Sequence, residues 1–315
     1  MPLMPARCEM LPLPSRQVSL RIDGREVARW HAAEDAPRPF LFPLNGPSGA
    51  CLTRMGHPGA ANHDHHRSVW FAHSKLLGID FWSENSLARI RQTEWFVYED
   101  GADQAAMAVR LGWFDGHNPA PLIEQETILI LRPLENGEYL LDWQLKFVPR
   151  SDQIEFQQTN FGFLAVRVVK SISAVFGGGQ LTGSTGLKGE KALFSQPARW
   201  MDYSGPVVVE TDPQRPIVTE GVTYLDCPQN ATYPSKWHVR DDGWMGCAPC
   251  MDGVQVTTKA APLVLRYGLF IHRDAAPESR IEAAIAAWQM IPVYQVVKGT
   301  RPHHQWELQG IAPPP

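Results

Sequence analysis

The chain has 315 residues and a formal net charge of −4 at pH 7; 20 % of its residues are charged and 44 % are hydrophobic. This composition is ordinary for a globular protein of one large domain or two smaller ones. No basic run stands out, which excludes the charge pattern of a nucleic-acid-binding protein. No stretch approaches the ~20 apolar residues of a membrane span. We therefore expect neither nucleic acid nor a membrane as a partner.

The cysteines and the first residues bear on the cellular compartment. Five cysteines are scattered along the chain, an odd number that does not suggest a disulfide framework. The opening sequence MPLMPARCEMLPLPSR is interrupted by prolines and lacks the continuous apolar core of a secretory signal. These features favour a reducing compartment, and we expect a cytoplasmic protein.

Short strand-like segments, separated by Gly, Pro, Asn and Asp, recur along the chain. The first two, QVSLRI and REVARWHA, flank Asp23-Gly24, a dipeptide typical of β-hairpin turns. RPFLFPL and several further runs follow, and Asn136-Gly137 marks a second hairpin turn before EYLLDWQLKFVP. QIEFQQTNFGFLAVRVV, GVTYLDC and LVLRYGLFIH continue the pattern. This rhythm predicts an all-β fold, a large antiparallel β-sandwich.

One main helix is expected near the C-terminus, over residues 279–290. In PESRIEAAIAAWQMI, Ser279 and Glu282 form the pattern of a capping box. Apolar residues then recur at helical spacing on one face, at Ile281, Ile285 and Trp288. The spacing predicts a helix that packs on a sheet.

The sequence shows no internal repeat and no linker. We therefore expect a single β-sandwich domain over residues 16–307, preceded by an N-terminal extension over residues 1–15. The end of the chain, GIAPPP, is typical of a disordered terminus, and we expect a disordered tail over residues 308–315.

The stretch NHDHHRSVWFAH, residues 62–73, contains four of the eleven histidines. Its first half is rich in Asn and Asp and predicts a loop, whereas RSVWFAH predicts a strand. Strand alternation would place Arg67, Val69, Phe71 and His73 on one face and Trp70 on the other. Because neutral imidazole titrates near working pH, this density favours a functional cluster. Its candidate residues are His63, His66, Arg67, Trp70 and His73.

A divalent metal bound by the His63–His66 region is a possible cofactor. His-x-His followed by another histidine is compatible with a transition-metal site. The spacing matches no specific metalloprotease or zinc-ribbon pattern, so the choice between ligand, proton carrier and hydrogen-bonding group stays open.

Two further segments concentrate polar and aromatic residues. STGLKGEKALFSQPARWMDYSGP, residues 184–206, contributes Glu190, Arg199, Trp200, Asp202 and Tyr203. YPSKWHVRDDGW, residues 233–244, contributes Trp237, His238, Arg240 and Asp241, and if KWHVR is a strand, His238 and Arg240 share a face. Such a cationic strip suits carboxylate, phosphate or polarised hydroxyl oxygens. For Glu190 or Asp202 taken alone, a solvated or ion-paired role is the commoner outcome.

Several tryptophans lie within two residues of a charged or polar group, among them Trp70, Trp82, Trp200 and Trp237. Carbohydrate sites commonly place flat aromatic rings against the apolar face of a sugar. The alternative is core packing with a satisfied indole N–H. We expect the three segments at residues 63–73, 190–203 and 237–241 to converge on one sugar-sized cleft.

Six segments together resemble a bacterial family labelled methane oxygenase PmoA-like, over roughly residues 37–273. They are RPFLFPL, DHHRSVWFAH, GIDFWSE, GEKALFSQPARWMDYSGP, YPSKWHVRDDGW and LVLRYGLFIH. In the second of these, Asp64, His66, Ser68 and His73 take the patterned places of the family. The resemblance implies a protein of sugar catabolism and a large twisted supersandwich similar to that of aldose epimerases.

The sequence thus predicts a cytoplasmic enzyme that acts on a small carbohydrate or an oxidised glycoside. Cleavage, β-elimination and epimerisation all need a positioned acid and base, which His and carboxylate pairs supply. The expected catalytic residues are His66, His73, Glu190, His238 and Asp241. The expected substrate-binding residues are His63, Arg67, Trp70, Trp82, Arg199, Trp200, Asp202, Tyr203, Trp237 and Arg240. The alternatives are a non-catalytic sugar-binding or sensing protein and, from the family label, a metal-dependent oxygenase.

Overall fold

The structure is a computed structural model, and it describes residues 6–311. In these residues almost all regular structure is β. The strands, in chain order, are β1 (Cys8–Leu13), β2 (Gln17–Ile22), β3 (Arg25–His31), β4 (Phe40–Leu44), β5 (Val69–His73), β6 (Arg89–Glu99), β7 (Ala105–Phe114), β8 (Ile123–Pro133), β9 (Tyr139–Pro149), β10 (Gln153–Phe156), β11 (Gly162–Arg167), β12 (Gln180–Gly183), β13 (Trp200–Val208), β14 (Ile217–Asp226), β15 (Trp237–Arg240), β16 (Trp244–Cys247), β17 (Gln255–Thr258), β18 (Leu263–Arg273), β19 (Val293–Lys298) and β20 (Trp306–Ile311).

Two eight-stranded antiparallel sheets form the sandwich. The first sheet has the order β1-β2-β3-β4-β5-β11-β16-β15, and the second has the order β12-β13-β14-β18-β9-β8-β7-β6. Two small sheets pair β10 with β17 and β19 with β20. The α-helices are the short α1 (Glu190–Leu193) and α2 (Glu278–Gln289). The predicted all-β sandwich with its main helix near the C-terminus is confirmed.

Both hairpin turns predicted from the sequence are present. Asp23 and Gly24 connect β2 to β3, and Asn136 and Gly137 lie between β8 and β9. All four residues have positive φ, at 51° and 75° in the first pair and 57° and 78° in the second. A type I′ turn requires positive φ at both central residues, and its twist matches that of the flanking strands. These turns therefore set the register of two long hairpins.

The main core lies between the two sheets. Phe71 of the first sheet packs on Phe147 of the second, with ring centroids 5.4 Å apart, and Trp237 meets Tyr224 at 4.8 Å. Aromatic residues bury large apolar areas, and tilted or offset ring pairs add further stability. The inward residues of both sheets thus form one continuous apolar layer.

A second core covers the outer face of the second sheet. Helix α2 buries Ile281 and Trp288 there, and the β19–β20 hairpin packs beside it. The helix was predicted within one residue at either end. The capping box was wrong, because Pro277 is the N-cap residue and no side chain caps the helix. Glu282 instead accepts two hydrogen bonds from Arg199.

The sheets extend beyond the domain boundaries expected from the sequence. β1 pairs along its length with β2, so residues 8–13, placed in the N-terminal extension, belong to the first sheet. β20 continues to Ile311, past the boundary at residue 307 and into the tail predicted to be disordered. Residues 1–5 and 312–315 lie outside the described part of the chain.

Two sequence expectations concern membranes and cysteines. Among residues 6–311, no helix combines the length and the apolar character that a membrane crossing requires. All five cysteines are free thiols, as expected for a chain without a disulfide framework. Four of the five thiols are buried.

Candidate functional site

The outer face of the first sheet carries a row of polar and aromatic side chains at one side of the sandwich. Strands β5, β11, β16 and β15 are neighbours there. Trp244 lies opposite both Arg167 and Arg240 in the strand register. Residues that are directly opposite each other point to the same face of a sheet. His238 and Arg240 also share this face, as the alternation of KWHVR predicted.

Loops build the walls of a cleft over this floor. We call the space the cleft; it has a volume of about 410 Å³ and lies between the residue 62–66 loop, the residue 80–83 loop and the outward residues of β15 and β16. Its lining mixes aromatic rings with imidazoles and charged groups: His63, His65, His66, Asp80, Trp82, Phe161, His238, Arg240, Asp242 and Trp244. This volume is in the usual range for a small-molecule site.

Trp244 is the centre of the aromatic lining. The ring of His238 lies 4.0 Å from it between centroids, and that of His66 lies 5.6 Å away. Trp82 and Phe161 complete the group at 5.8 and 6.1 Å from Trp244. Two histidines therefore flank one indole, with two further aromatic rings beside it.

A buried ion-pair cluster fixes the two loops beneath the cleft. Glu84 accepts hydrogen bonds from Arg67, at 2.6 and 2.8 Å, and from Arg38, at 3.1 Å. Arg38 is 1 % exposed and also donates to the backbone oxygens of His65 and Phe81. Paired arginine and carboxylate groups of this geometry are strong and directional. Arg67, predicted to bind substrate, lies in this cluster and holds the loops in place.

Asp242 enters the cleft from the turn between β15 and β16. One oxygen accepts a hydrogen bond from Arg167 at 2.5 Å, and the other accepts from Nε2 of His57 at 2.7 Å. Burial raises the pKa of Asp242, but the hydrogen bond and charge of Arg167 outweigh that effect and hold it below its usual value. The cleft therefore contains an ionised carboxylate near neutral pH.

His66 and His238 are neutral imidazoles with an unpartnered nitrogen. Burial, together with the charge of Arg167, lowers the pKa of His66 to about 2. Burial, together with the charge of Arg240, lowers the pKa of His238 to about 3. Nδ1 of His238 donates to the backbone oxygen of Asn160 at 3.0 Å, which leaves Nε2 as an acceptor. Nε2 of His238 and Nδ1 of His66 have no hydrogen-bond partner among the described residues.

The remaining histidines of the loop crowd beside His66. The ring centroids of His63 and His65 lie 5.2 and 4.5 Å from that of His66. Burial lowers the pKa of His65 to about 4. Despite this density, residues 6–311 contain no group of three His, Cys, Asp or Glu side chains arranged to hold a metal ion. The expected metal-binding role of the His63–His66 region thus has no ligand set in this arrangement.

The structure places His73, Trp70 and Trp237 away from the cleft. His73 faces the core, where its ring packs on Phe163 at 5.0 Å and its Nε2 meets the backbone oxygen of Gln157. Trp70 lies beneath His66, and Trp237 is fully buried and donates to the backbone oxygen of Ala198. Strand alternation predicted that Phe71 and His73 share a face, but it could not show that this face is the inner one.

Glu190 and Asp241 form a clasp at the rim of the cleft. Glu190 accepts hydrogen bonds from Arg240 at 2.9 Å and from the backbone N–H of Asp241 at 3.0 Å. The carboxylate of Asp241 accepts in turn from the backbone N–H of Glu190 at 2.8 Å. Glu190 and Asp241 thus lie together, and the carboxylate of Glu190 orients Arg240, which lines the cleft.

The other residues predicted from segment 184–206 lie elsewhere. Trp200 packs in the second core, and Asp202 pairs with His272 on the same outer face of the second sheet. Arg199 binds Glu282 of helix α2. Tyr203 lies in the main core, and its hydroxyl group donates to the backbone oxygens of residues 240 and 241. Of this group, only Tyr203 supports the cleft, from below.

The sequence analysis missed several lining residues, among them Asp80, Phe161, Asp242 and Trp244, and it also missed His57, which bonds to Asp242. His57 lies in a Gly- and Pro-rich loop before the histidine cluster, and Asp242 is the second carboxylate of RDDG. The strand alternation of KWHVR could have pointed to Trp244, because a tight turn returns the chain beside Arg240. Asp80 and Phe161 have no comparable sequence signal, since only the tertiary fold brings them to the cleft.

A wider depression of about 950 Å³ lies beside the β2–β3 turn and the β8–β9 turn. Several of the charged groups that line it form ion pairs: Arg7 pairs with Asp23, and Glu26 pairs with Arg29. It has no histidine or aromatic lining. The smaller cleft, with its perturbed histidines, is therefore the better candidate site.

The chain belongs to a family of unknown function, DUF6807, whose family model matches residues 17–286. No curated protein matches the chain. Among solved structures, it is similar to a 4-alpha-glucanotransferase from Thermococcus litoralis, with 8 % identity and a TM-score of 0.30. That likeness covers 86 % of this chain and 40 % of the other, so the chain spans less than half the length of that enzyme.

The resemblance to the methane oxygenase PmoA-like family was wrong. The family model that matches most of the chain is that of DUF6807, and no methane oxygenase family matches. The alternative of a metal-dependent oxygenase depended on that label and loses its basis.

Proposed function

We propose that this member of the DUF6807 family is a carbohydrate-active enzyme and that the cleft is its active site. The observation that carries the proposal is the convergence of two neutral imidazoles and two carboxylates around an aromatic floor. His66 and His238 flank Trp244, and Asp80 and Asp242 lie in the same lining. A small carbohydrate or glycoside is the proposed partner, in the cytoplasm.

The lining suits a neutral sugar better than a strongly charged ligand. The charged side chains are largely neutralised in place, since Arg240 pairs with Glu190 and Asp242 pairs with Arg167. Trp82, Phe161 and Trp244 offer apolar ring surface, and the imidazoles and carboxylates offer hydrogen-bond partners for hydroxyl groups. A sugar presents both kinds of surface at once.

His238 is the proposed proton acceptor. Its Nδ1–H is held by the backbone oxygen of Asn160, so the lone pair of Nε2, a buried atom, has no hydrogen-bond partner among the described residues. A general base must lie within hydrogen-bond reach of the proton that it removes, and its tautomer must leave a free lone pair. Asp80 and Asp242 would accept hydrogen bonds from sugar hydroxyl groups and stabilise positive charge that develops on His238. Cleavage, β-elimination and epimerisation all remain within this chemistry.

A second candidate function is sugar binding without turnover. The observation that favours it is the low pKa of both histidines, about 2 for His66 and about 3 for His238. The most effective acid–base catalysts have a pKa near the operating pH, and imidazoles this acidic are weak bases. In that case the same nitrogens would only hydrogen-bond the ligand.

The experiment that tests the proposal measures binding and turnover of a panel of aldoses, uronic acids and methyl glycosides. Calorimetry gives the affinities, and proton NMR in D₂O detects new products or exchange of carbon-bound hydrogen. We expect His238→Gln to lower turnover by about 10²- to 10⁴-fold. His117→Gln, which changes an exposed histidine, is the control.

The outcomes separate the two candidates. Turnover that depends on His238 supports the enzyme. Binding without turnover, weakened by His238→Gln, supports the sugar-binding protein. Absence of binding across the whole panel rejects both.

A further inference from the structure

A continuous row of six rings runs through the cleft and past its edge. We call it the ring row, and its members in order are Phe161, Trp244, His66, His63, His57 and Phe176. Successive ring centroids are 6.1, 5.6, 5.2, 5.2 and 5.8 Å apart. The cleft lining includes the first four rings, whereas His57 and Phe176 extend the row beyond it.

Both ends of the row are exposed aromatic side chains. Phe161 and Phe176 are each 38 % exposed, although phenylalanine usually contributes to a core. Single exposed apolar residues are common, but an exposed aromatic ring continuous with a polar cleft is typical of a ligand-binding surface. Phe176 therefore extends the surface that the cleft presents to a ligand.

The loop that carries Phe176 is held tightly. Its backbone N–H donates to the hydroxyl group of Ser173 at 3.2 Å, and that of Gly177 donates to the backbone oxygen of Ser173 at 3.0 Å. A Cβ atom at Gly177 would overlap the backbone of Ser171, so only glycine allows this close packing. The backbone that carries the phenyl ring is thus fixed before any ligand arrives, which lowers the entropic cost of binding.

His57 connects this ring to the chemistry of the cleft. Its Nδ1 accepts the backbone N–H of Gly59 at 2.9 Å, and its Nε2 donates to Asp242 at 2.7 Å. Both nitrogens are therefore occupied, and the imidazole, whose side chain is 11 % exposed, offers a ligand no free polar atom. Gly59 itself packs against Phe176: a Cβ atom there would lie 3.4 Å from the phenyl ring. Hydrogen bonds and close packing therefore hold the two loops of the ring row against each other.

We propose that Phe176, with His57, forms a second subsite, and that the ligand is a glycoside whose second ring or apolar aglycone stacks there. This inference rests on the proposed function, because the first sugar ring would occupy the cleft. A monosaccharide would fill the cleft and leave Phe176 uncovered. A glycoside would extend along the ring row and cover it.

The test compares matched pairs of ligands and variants. The probes are the methyl and p-nitrophenyl glycosides of glucose, galactose, mannose and xylose, with affinities measured by calorimetry. We expect at least one p-nitrophenyl glycoside to bind about 2- to 12-fold more tightly than its methyl partner, the range for one aromatic pair. Phe176→Ala should remove that advantage and leave the methyl glycoside unchanged, whereas Phe176→Tyr should retain it.

Val175→Ala is the matched control, because Val175 precedes Phe176 on the same loop and is 64 % exposed but has no aromatic ring. If neither member of any pair binds, both the proposed function and the subsite are rejected. If methyl glycosides bind and the p-nitrophenyl group adds nothing, only the subsite is overturned. An advantage that Phe161→Ala removes and Phe176→Ala preserves also overturns it.

Discussion

The outer faces of the two sheets carry similar residues and use them differently. The first sheet presents Trp244, His238 and Arg240 to the cleft. The second presents Trp200, Asp202 and His272 to a layer that helix α2 and the β19–β20 hairpin cover. Tryptophan, histidine and charged residues are thus concentrated on both sides of the sandwich. What differs is whether the histidine of each face finds partners for both ring nitrogens inside the protein.

Two buried histidines show this difference most clearly. His272 uses both nitrogens: Nε2 bonds to Asp202 at 2.8 Å and Nδ1 to the backbone oxygen of Asp274 at 3.1 Å. Burial lowers the pKa of His272, but the charge of Asp202 outweighs burial and raises it. His238 has a single partner, and its pKa falls to about 3. A satisfied buried histidine is part of the structure, whereas the buried, unpartnered Nε2 of His238 is explained if a ligand supplies its partner.

The largest expected effect is a loss of stability on the outer face of the second sheet, which we call the covered face because helix α2 and the β19–β20 hairpin lie over it. Asp142 is fully buried and accepts hydrogen bonds from Arg266, at 2.8 and 3.0 Å, and from Trp288. Asp142→Ala would leave the Arg266 guanidinium buried without its counter-charge. We expect a loss of about 3–5 kcal/mol in the free energy of unfolding, measured by urea denaturation.

Asp152→Ala is the control for that change, because Asp152 forms an exposed ion pair with Lys259. Exposed pairs contribute about 0–1 kcal/mol. Equal destabilisation by the two variants would show that the covered face does not depend on its buried pair.

The second prediction concerns His66 and acid stability. The unfolded chain binds a proton at this residue near pH 6.5, whereas burial keeps the folded residue neutral down to about pH 2. The unfolded state therefore gains protons first as the pH falls, and the folded state loses stability below pH 6.5. One such group contributes up to about 1.4 kcal/mol per pH unit.

His66→Gln should reduce that loss, and unfolding free energies between pH 6.5 and 4.5 measure it. His117→Gln, at an exposed histidine, should leave the slope unchanged. If the unfolding free energy of the His66 variant falls with pH as steeply as that of the wild type, His66 is not a buried neutral imidazole at the cleft.

The third prediction concerns His272, whose contribution to stability changes with pH in the direction opposite to that of His66. Because its pKa is raised in the folded protein, the folded state holds this proton more tightly than the unfolded state. The resulting stability is complete below pH 6.5 and is lost as the pH rises through the folded pKa. The advantage of the wild type over His272→Asn should therefore shrink between pH 6 and pH 9, with a slope below about 1.4 kcal/mol per pH unit. An advantage that grows with pH would mean that His272 is neutral.

The sequence predicted the sandwich well because its signals are local. Alternating apolar residues and the dipeptides Asp23-Gly24 and Asn136-Gly137 specify strands and turns without reference to distant parts of the chain. Helix α2 was likewise found from the spacing of Ile281, Ile285 and Trp288, whereas its capping residues were not. Capping depends on the preceding loop and on competing partners such as Arg199, which the spacing does not reveal.

The site was predicted only in part, because local sequence signals identify its residues but not their position in the fold. His66, His238 and Arg240 were identified from local density and strand alternation, and they do line one cleft. The same density also pointed to Trp200 and Asp202, which lie on the other outer face. Density shows that polar groups are present, but the choice of sheet and face depends on pairing between strands that are far apart in sequence, such as β5 with β11.

The smallest expected effect comes from a matched pair of arginines, one on each outer face. Arg199 binds Glu282 on the covered side, and Arg240 binds Glu190 at the cleft; their side chains are 41 % and 36 % exposed. At that exposure each ion pair contributes about 0–1 kcal/mol, so Arg199→Ala and Arg240→Ala should destabilise the fold equally little. Their effects on ligand affinity should differ, because only Arg240 lines the cleft. Calorimetry with a glycoside that the wild type binds should show weaker binding for Arg240→Ala and unchanged binding for Arg199→Ala. Equal losses of affinity would place Arg199 in the site, as its sequence neighbourhood suggested, and would remove the distinction between the two faces.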